Sequence, residues 1–498
     1  MRTTLSAVLI ALMVGCAAGP DFHSPDPPAV GRYTAGEQPS ETASADAPGG
    51  QAQRFVERDL PAEWWKLFQS DKLDALVRQA LGDSPRLVQA QSKLVKAQQD
   101  LRARRGATQF PKVDARLSGT RVDVNPESFD VPQLPIDTPF TLYDASVTVS
   151  YTLDLFGKSR RELEGLQARV DYQGFELEAA RLTLAGNVAT AAIQAASLRD
   201  QIAATEGIVA LQERRIGILE RREQAGGVAK IDVVTQRGEL AKTRASLPPL
   251  RERLEQTRNR LAVYLGQLPG EAELPELGLS DLQLPSELPL SLPSELVRRR
   301  PDIRAAEALL HEASAQVGVA TANFYPQIII SGVGGSLATA LSSLFSSGTG
   351  FYLLGATLVQ KLFHGGELKA QKRSAVAAFE QAGGVYREVV LEGFQDVADT
   401  LAALDQDAQA LRDRAEAASL AKTAFEINTK RFEAGGISTL DLLDSERQSL
   451  AASLDQTRAL ADRFADSAAL FQALGGGWWS AQPPAGATSS PTVPQSQP

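Results

Sequence analysis

The stretch 366–475 constrains the fold most, because its pattern fits one long helix that turns and runs back. Its apolar residues fall at Ala375, Phe379, Ala382, Tyr386, Val389, Val397, Leu401, Leu404, Ala408, Leu411, Ala415 and Ala418. The steps alternate between four and three, passing over Gly393, which is the seam of a coiled coil and not the wider stripe of a globular helix. No proline falls between Glu367 and Gln482. At a rise of ~1.5 Å per residue, 367–431 would extend roughly 95 Å, too long for the core of an ordinary domain. Gly435-Gly436 then marks a tight turn into the returning helix.

The same unit occurs earlier in the chain. Leu184, Val188, Ala191, Ala195, Leu198, Ile202, Thr205, Val209, Ile216 and Leu219 repeat the rhythm, with Gln212 its one amide member. The segment 222–232 aligns without a gap on 431–441, placing Gly226-Gly227 over Gly435-Gly436, and the same offset carries Leu265-Gly266 onto Leu474-Gly475. Pro85 to Pro111 matches Pro301 to Pro326 with slight slippage. A duplication of such long period implies pseudo-symmetry within one assembly. The expected organisation is a leader over 1–15, an extended tether over 16–60, a first repeat over 61–270, a proline-punctuated linker over 271–293, a second repeat over 294–479 and a tail over 480–498. Pro248-Pro249 should kink or end the returning helix of the first repeat. Trp64-Trp65 reads as packing, not ligand binding.

Between the helices lie strand candidates. Over 144–153, Ala145, Val147, Val149, Tyr151 and Leu153 share one face and Asp144, Ser146, Thr148, Ser150 and Thr152 the other. Such alternation marks a strand with one apolar and one wet face. The stretch 112–120 alternates likewise, while 327–337 and 350–362 hold the equivalent places with weaker, glycine-rich patterns. The segment 123–140 contains four prolines and reads as a loop. Beyond the N-terminus no run of about twenty apolar residues exists to form a transmembrane helix, so a membrane could be crossed only by strands. Four strands cannot close a membrane barrel, which needs at least ~8. The strands therefore form a soluble sheet, or several protomers share one barrel. A trimer supplying twelve strands is the smallest symmetric ring that suits both the strands and a coiled-coil tube.

The N-terminus begins with Met1-Arg2 and a short apolar core from Leu5 to Val14, a secretory signal. It ends at Cys16, the chain's single cysteine, so no disulfide forms within one protomer. Cys16 is either a residue lost with the leader or the lipid-attachment site of a lipoprotein signal, with Met13 where leucine is commonest and Ala17 following. The net charge of −9 disfavours nucleic acid, which requires a basic face. His23, His311 and His364 stand too far apart for metal-ligand spacing, and no metal or other cofactor is expected. Gly157-Lys158-Ser159 imitates the end of a phosphate loop, but Thr152 replaces the glycine that loop needs. Gly332-Val-Gly334 lacks the third glycine of a dinucleotide loop. Nothing here points to an enzyme.

Several motifs together resemble the outer-membrane efflux channel family, the TolC-like factors, and most closely its lipoprotein branch of OprM and NodT type. They are Cys16 with Gly19-Pro20-Asp21-Phe22 and Pro25, Trp64-Trp65, Asp154 to Gly157 with Lys158 and Arg160, and Arg300-Pro301-Asp302-Ile303 with Ala306-Glu307. Phe324-Tyr325-Pro326, Leu362-Phe363 with Gly365-Gly366, and Leu474 to Trp478 complete the set, in order, over about residues 16–480. His364 departs from the usual Asp or Asn. The resemblance implies a mainly α fold with long antiparallel coiled-coil hairpins and four strands per protomer. A homotrimer would complete a twelve-stranded barrel in the outer membrane above a helical periplasmic tunnel. It further implies lipid attachment at Cys16, and docking to a periplasmic adaptor (membrane fusion) protein served by an inner-membrane transporter. By position, Leu440, Asp444 and Arg447 match the family's periplasmic constriction. Asp444 and Arg447 are also an i, i+3 pair, which alone would be an ordinary surface ion pair. Arg222, Gly226, Gly227, Arg431, Gly435 and Gly436 would be adaptor-facing tips, although glycine is needed at a hairpin regardless of any partner. A lipid-anchored periplasmic coiled-coil scaffold without a pore is the alternative.

Overall fold

The computed structural model describes residues 17–36, 39–123 and 139–480. Cys16, most of the proline-rich loop and nearly all of the C-terminal tail lie outside them. In chain order the named elements are β1 (Arg54–Val56), α1 (Asp71–Asp83), α2 (Pro85–Gln109), β2 (Lys112–Val122), β3 (Phe140–Leu153), α3 (Lys158–Gln224) and α4 (Lys230–Tyr264). There follow β4 (Glu287–Pro289), α5 (Pro293–Arg299), α6 (Pro301–Ala322), β5 (Gln327–Ala338), β6 (Gly350–Val359), α7 (Glu367–Glu433) and α8 (Thr439–Ala473). The succession of helix, two strands, long helix and returning helix occurs twice. α3 and α7 are each 67 residues long, and α4 and α8 are each 35. Proline opens α2, α5 and α6, where its missing N–H costs nothing.

The chain divides into two compact units, each drawing segments from both halves. The first falls within Met1–Pro25, Ser92–Gly174 and Ala305–Arg387, the second within Asp26–Gln91, Phe175–Arg304 and Glu388–Pro498.

The first unit holds a four-stranded antiparallel sheet in the order β2-β3-β5-β6. Its register pairs Val113 with Val149, Leu117 with Ala145, Tyr151 with Ile330 and Ile330 with Ala356, so the alternation read in β3 continues across all four strands on one face. That apolar face is uncovered: Leu117 is 74% exposed and Leu354 77%, with Val113, Val147, Val149 and Ile330 exposed beside them. On β2 and β3 the opposite face carries Lys112, Asp114, Ser146, Ser150 and Thr152, while on β5 and β6 it also carries Ile329, Val333 and Leu353. β2 and β6 are the outer strands, and each has one edge without a partner strand among the described residues. β6 ends at Val359, short of the expected Leu362, where the Gln360 side chain turns back to donate to the Phe324 carbonyl (3.1 Å).

The N-terminal stretch is extended but is no free tether. In the first unit the Ala18 N–H donates to the Phe156 carbonyl (3.0 Å), Arg161 pairs with Asp21 (2.7 Å), and Phe22 stacks on His311 at 4.4 Å. In the second, fully buried Arg463 of α8 donates to the Gly49 and Gln51 carbonyls and to the Thr42 hydroxyl (2.8–3.1 Å). Backbone carbonyls held by a buried guanidinium explain why a proline- and serine-rich segment is ordered here.

The second unit contains the helical core. Val397, Leu401, Leu404, Ala408, Leu411, Ala415 and Ala418 of α7 are all buried, as are Leu184, Val188, Ala191, Leu198, Thr205, Ile216 and Leu219 of α3. Trp64 packs within 5.7 Å of Phe471, and Phe68 within about 6 Å of Phe464 and Phe471, which places the Trp pair's first member in the core. Trp65 donates to Asp74 (2.9 Å). α4 does not end at Pro248-Pro249: both lie inside it. Their neighbours Leu247 and Leu250 are buried, so packing carries the helix past two missing N–H donors.

Candidate gate and docking residues

The two hairpin turns are built alike. After α3 the Gly226 N–H donates to the Glu223 carbonyl (2.9 Å) and the Gly227 N–H to the Arg222 carbonyl (2.8 Å). After α7 Gly435 donates to Phe432 (3.0 Å) and Gly436 to Arg431 (2.8 Å). This is the Schellman arrangement, whose left-handed residue is Gly226 (φ +74) in one turn and Gly435 (φ +76) in the other. A Cβ would meet nothing within 4 Å at either glycine, so backbone conformation alone, not crowding, selects glycine there. Each returning helix then begins with an acidic residue accepting from the backbone three positions earlier: Asp232 from Ala229 (3.1 Å) and Asp441 from Ser438 (3.1 Å). The Ser438 contacts hold the Asp441 carboxyl below its ordinary range. Arg222, Gly226, Gly227, Arg431, Gly435 and Gly436 are all exposed.

Leu440, Asp444 and Arg447 lie on one exposed face of α8, close after the second turn; Leu440 is 68% exposed. Asp444 accepts from Arg447 at 2.6 Å and from Gln448 at 2.7 Å. Solvent screening leaves such an exposed pair worth about 0–1 kcal/mol.

The opposite face of the same α8 turn carries what sequence reasoning missed. Glu446, only 2% exposed, pairs with Arg215 of α3, which also lies over the Phe425 ring at 5.7 Å. Burial raises the Glu446 carboxyl pKa despite that cation. The available signal was a charge four residues after Leu442 and three after Leu443, on the stripe itself. Farther along α8, Asp466 is pushed up to about 7 by burial and by Asp407 and Asp462, while burial lowers Arg463 to about 10. Arg300 is also buried. Its guanidinium donates to Asp302 (2.6 Å), Asp396 (2.8 Å) and the Ala473 carbonyl (2.9 Å), joining the start of α6 to α7 and the end of α8. No group of three or more metal-ligating side chains occurs among the described residues.

A sequence model of the family described as Outer membrane efflux protein matches residues 76–267 and 292–476, one segment in each half. The pyoverdine export outer membrane protein OpmQ of Pseudomonas putida is 30% identical over 465 residues, covering 92% of this chain and 95% of that one. Among solved structures, the outer-membrane channel OprN is 29% identical with a TM-score of 0.81, covering 93% of this chain and 100% of that one. The MtrE outer-membrane channel of Neisseria gonorrhoeae, solved in its open state, is 26% identical with a TM-score of 0.78, covering 93% and 99%. This chain thus belongs to the outer membrane efflux protein family, and it is an outer-membrane channel component of an efflux system.

Proposed function

We propose that three copies of the chain close one twelve-stranded barrel in the outer membrane, continued by a periplasmic helical tunnel that serves as the exit duct of a tripartite pump. What supports this most is the sheet. Its apolar face is uncovered and its outer strands each have a free edge, an arrangement that lipid and neighbouring copies would satisfy. The tips at Gly226-Gly227 and Gly435-Gly436 would meet the periplasmic adaptor, behind which stands the inner-membrane transporter. Leu440, Asp444 and Arg447 would line the constriction. Threefold symmetry would bring three Asp444 carboxylates near one axis, where their repulsion makes the closed ring sensitive to a small helix rotation. Cys16 would carry acyl chains that add to outer-membrane attachment. The cargo would be small molecules, the class to which the pyoverdine named for OpmQ belongs.

Planar-bilayer conductance tests this. The purified protein should form discrete channels, and Asp444→Ala should raise the resting conductance by relaxing the ring. Absence of channels would contradict the pore; channels unchanged by Asp444→Ala would remove the gate assignment. Charge placed at Gly436 should weaken adaptor cross-linking while leaving trimers intact, and undiminished cross-linking would remove the tip assignment.

A further inference from the structure

We propose that the cavity at the foot of the sheet in the first unit binds a small aromatic carboxylate in transit; its placement along the export path rests on the channel reading above. The cavity has a volume of about 240 Å³ and lies where β2 begins, β3 ends and α3 begins. Lys112 and Lys158 both line it. Among the described residues neither lysine has a carboxylate or hydrogen-bonding partner. The other charged groups in the wall are already engaged. Arg104 donates to Glu162 (2.8 Å), and Asp154 accepts from the backbone of Ser159 (3.1 Å) and Arg160 (2.9 Å). Those two bonds occupy the second and third N–H groups of α3, so the attraction comes chiefly from the lysines.

Placement on the sheet gives the site its direction. Lys112 pairs in register with Ser150, on the polar face, opposite the exposed apolar face that would meet lipid. On the channel reading, a compound held by Lys112 would face the lumen of the barrel. The rest of the wall mixes hydroxyl and amide groups of Ser150, Thr152 and Gln327 with an aromatic side formed by exposed Phe110 and by Phe156, which is stacked on Tyr325 at 4.7 Å. A cavity of roughly 150 Å³ accommodates benzene, so this one has room for one ring and an ionised substituent. Two uncompensated ammonium groups favour a carboxylate through charge-assisted hydrogen bonds, and they repel a cation.

Equilibrium dialysis of the detergent-solubilised full chain against salicylate, with neutral salicylamide as comparator, reads the site whether the pore is open or shut. One saturable salicylate site per chain is expected, with no comparable uptake of salicylamide. Lys112→Gln and Lys158→Gln should each weaken binding about tenfold, the scale of one lost charge-assisted bond, and the Lys→Arg forms should retain most of it. No saturable uptake, equal uptake of salicylamide, or indifference to both lysine replacements would overturn the site. Because dialysis requires no current, failure of the channel reading would show in the bilayer while the dialysis result still decided the site.

Discussion

The sheet and the helical core treat apolar residues in opposite ways. In the second unit the seam turns inward: Leu404 and Leu411 are completely buried, and the polar groups buried with them, such as Arg463 and Glu446, are engaged by partners. In the first unit the valines and leucines of β2 and β3, in register with Ile328, Ile330, Leu354 and Leu358, face out, and on β2 and β3 serine, threonine and charged residues hold the other side, which on β5 and β6 also carries Ile329, Val333 and Leu353. Water around both would leave the sheet inside out. The contrast makes sense where the two regions have different solvents, hydrocarbon for one and water for the other.

The largest expected effect that could break this contrast is on the helical side. Leu404→Ala removes a fully buried seam residue and should cost about 2–5 kcal/mol, measured as a lowered denaturation midpoint. A loss under ~1 kcal/mol would mean that the seam is not a packed core. Next comes a pair of substitutions on the sheet. Leu354→Arg should cost about 2–4 kcal/mol of barrel stability, or prevent membrane insertion, if that face meets lipid. Thr148→Arg on the polar face should be tolerated. Equal tolerance of both would point to a sheet in water. Gly435→Ala should cost about 1–2 kcal/mol because the left-handed conformation is kept without glycine's freedom; no change would mean that the turn adopts another geometry.

The smallest effect concerns Asp466. Its folded pKa is raised to about 7 from 3.8, so the folded chain holds this proton more tightly than the unfolded one. The sign follows: the group's contribution is most favourable at low pH and declines as pH rises from about 4 through about 7. Arg414 and Arg458 act on the neighbouring Asp462, and Arg463 feels Asp407; none of them reverses the shift at Asp466. Asp466→Asn should therefore stabilise at pH 8 by on the order of 1 kcal/mol, after allowance for partial exposure, and hardly at all at pH 4. Equal thermal shifts at the two values would rule out this titration.

Periodicity made the seams legible, since every seam residue named from Leu401 to Ala418 is buried. It also made β3 legible, because alternation there is strict. In β5 and β6 glycines such as Gly332 and Gly334 blur the pattern, and only the pairing with Leu354 and Tyr352 shows which face they share. Pro248-Pro249 do not end the helix because the packing of Leu247 and Leu250 overrides the loss of two N–H donors. The order of residues 39–56 was hidden for a different reason: Arg463 is more than four hundred residues away in sequence, and no local pattern links it to Gly49 or Gln51. Of the candidate site, the glycine turns followed from local chemistry. The Arg215–Glu446 pair did not, since two charges on separate helices declare themselves only when the helices pack.

The mass of the detergent-solubilised assembly, read by native mass spectrometry, tests most directly whether the sheet is one part of a shared barrel. Three chains per particle, insoluble without detergent even after the N-terminal cysteine is removed, is the predicted result. A single chain, stable and soluble in plain buffer, would contradict it.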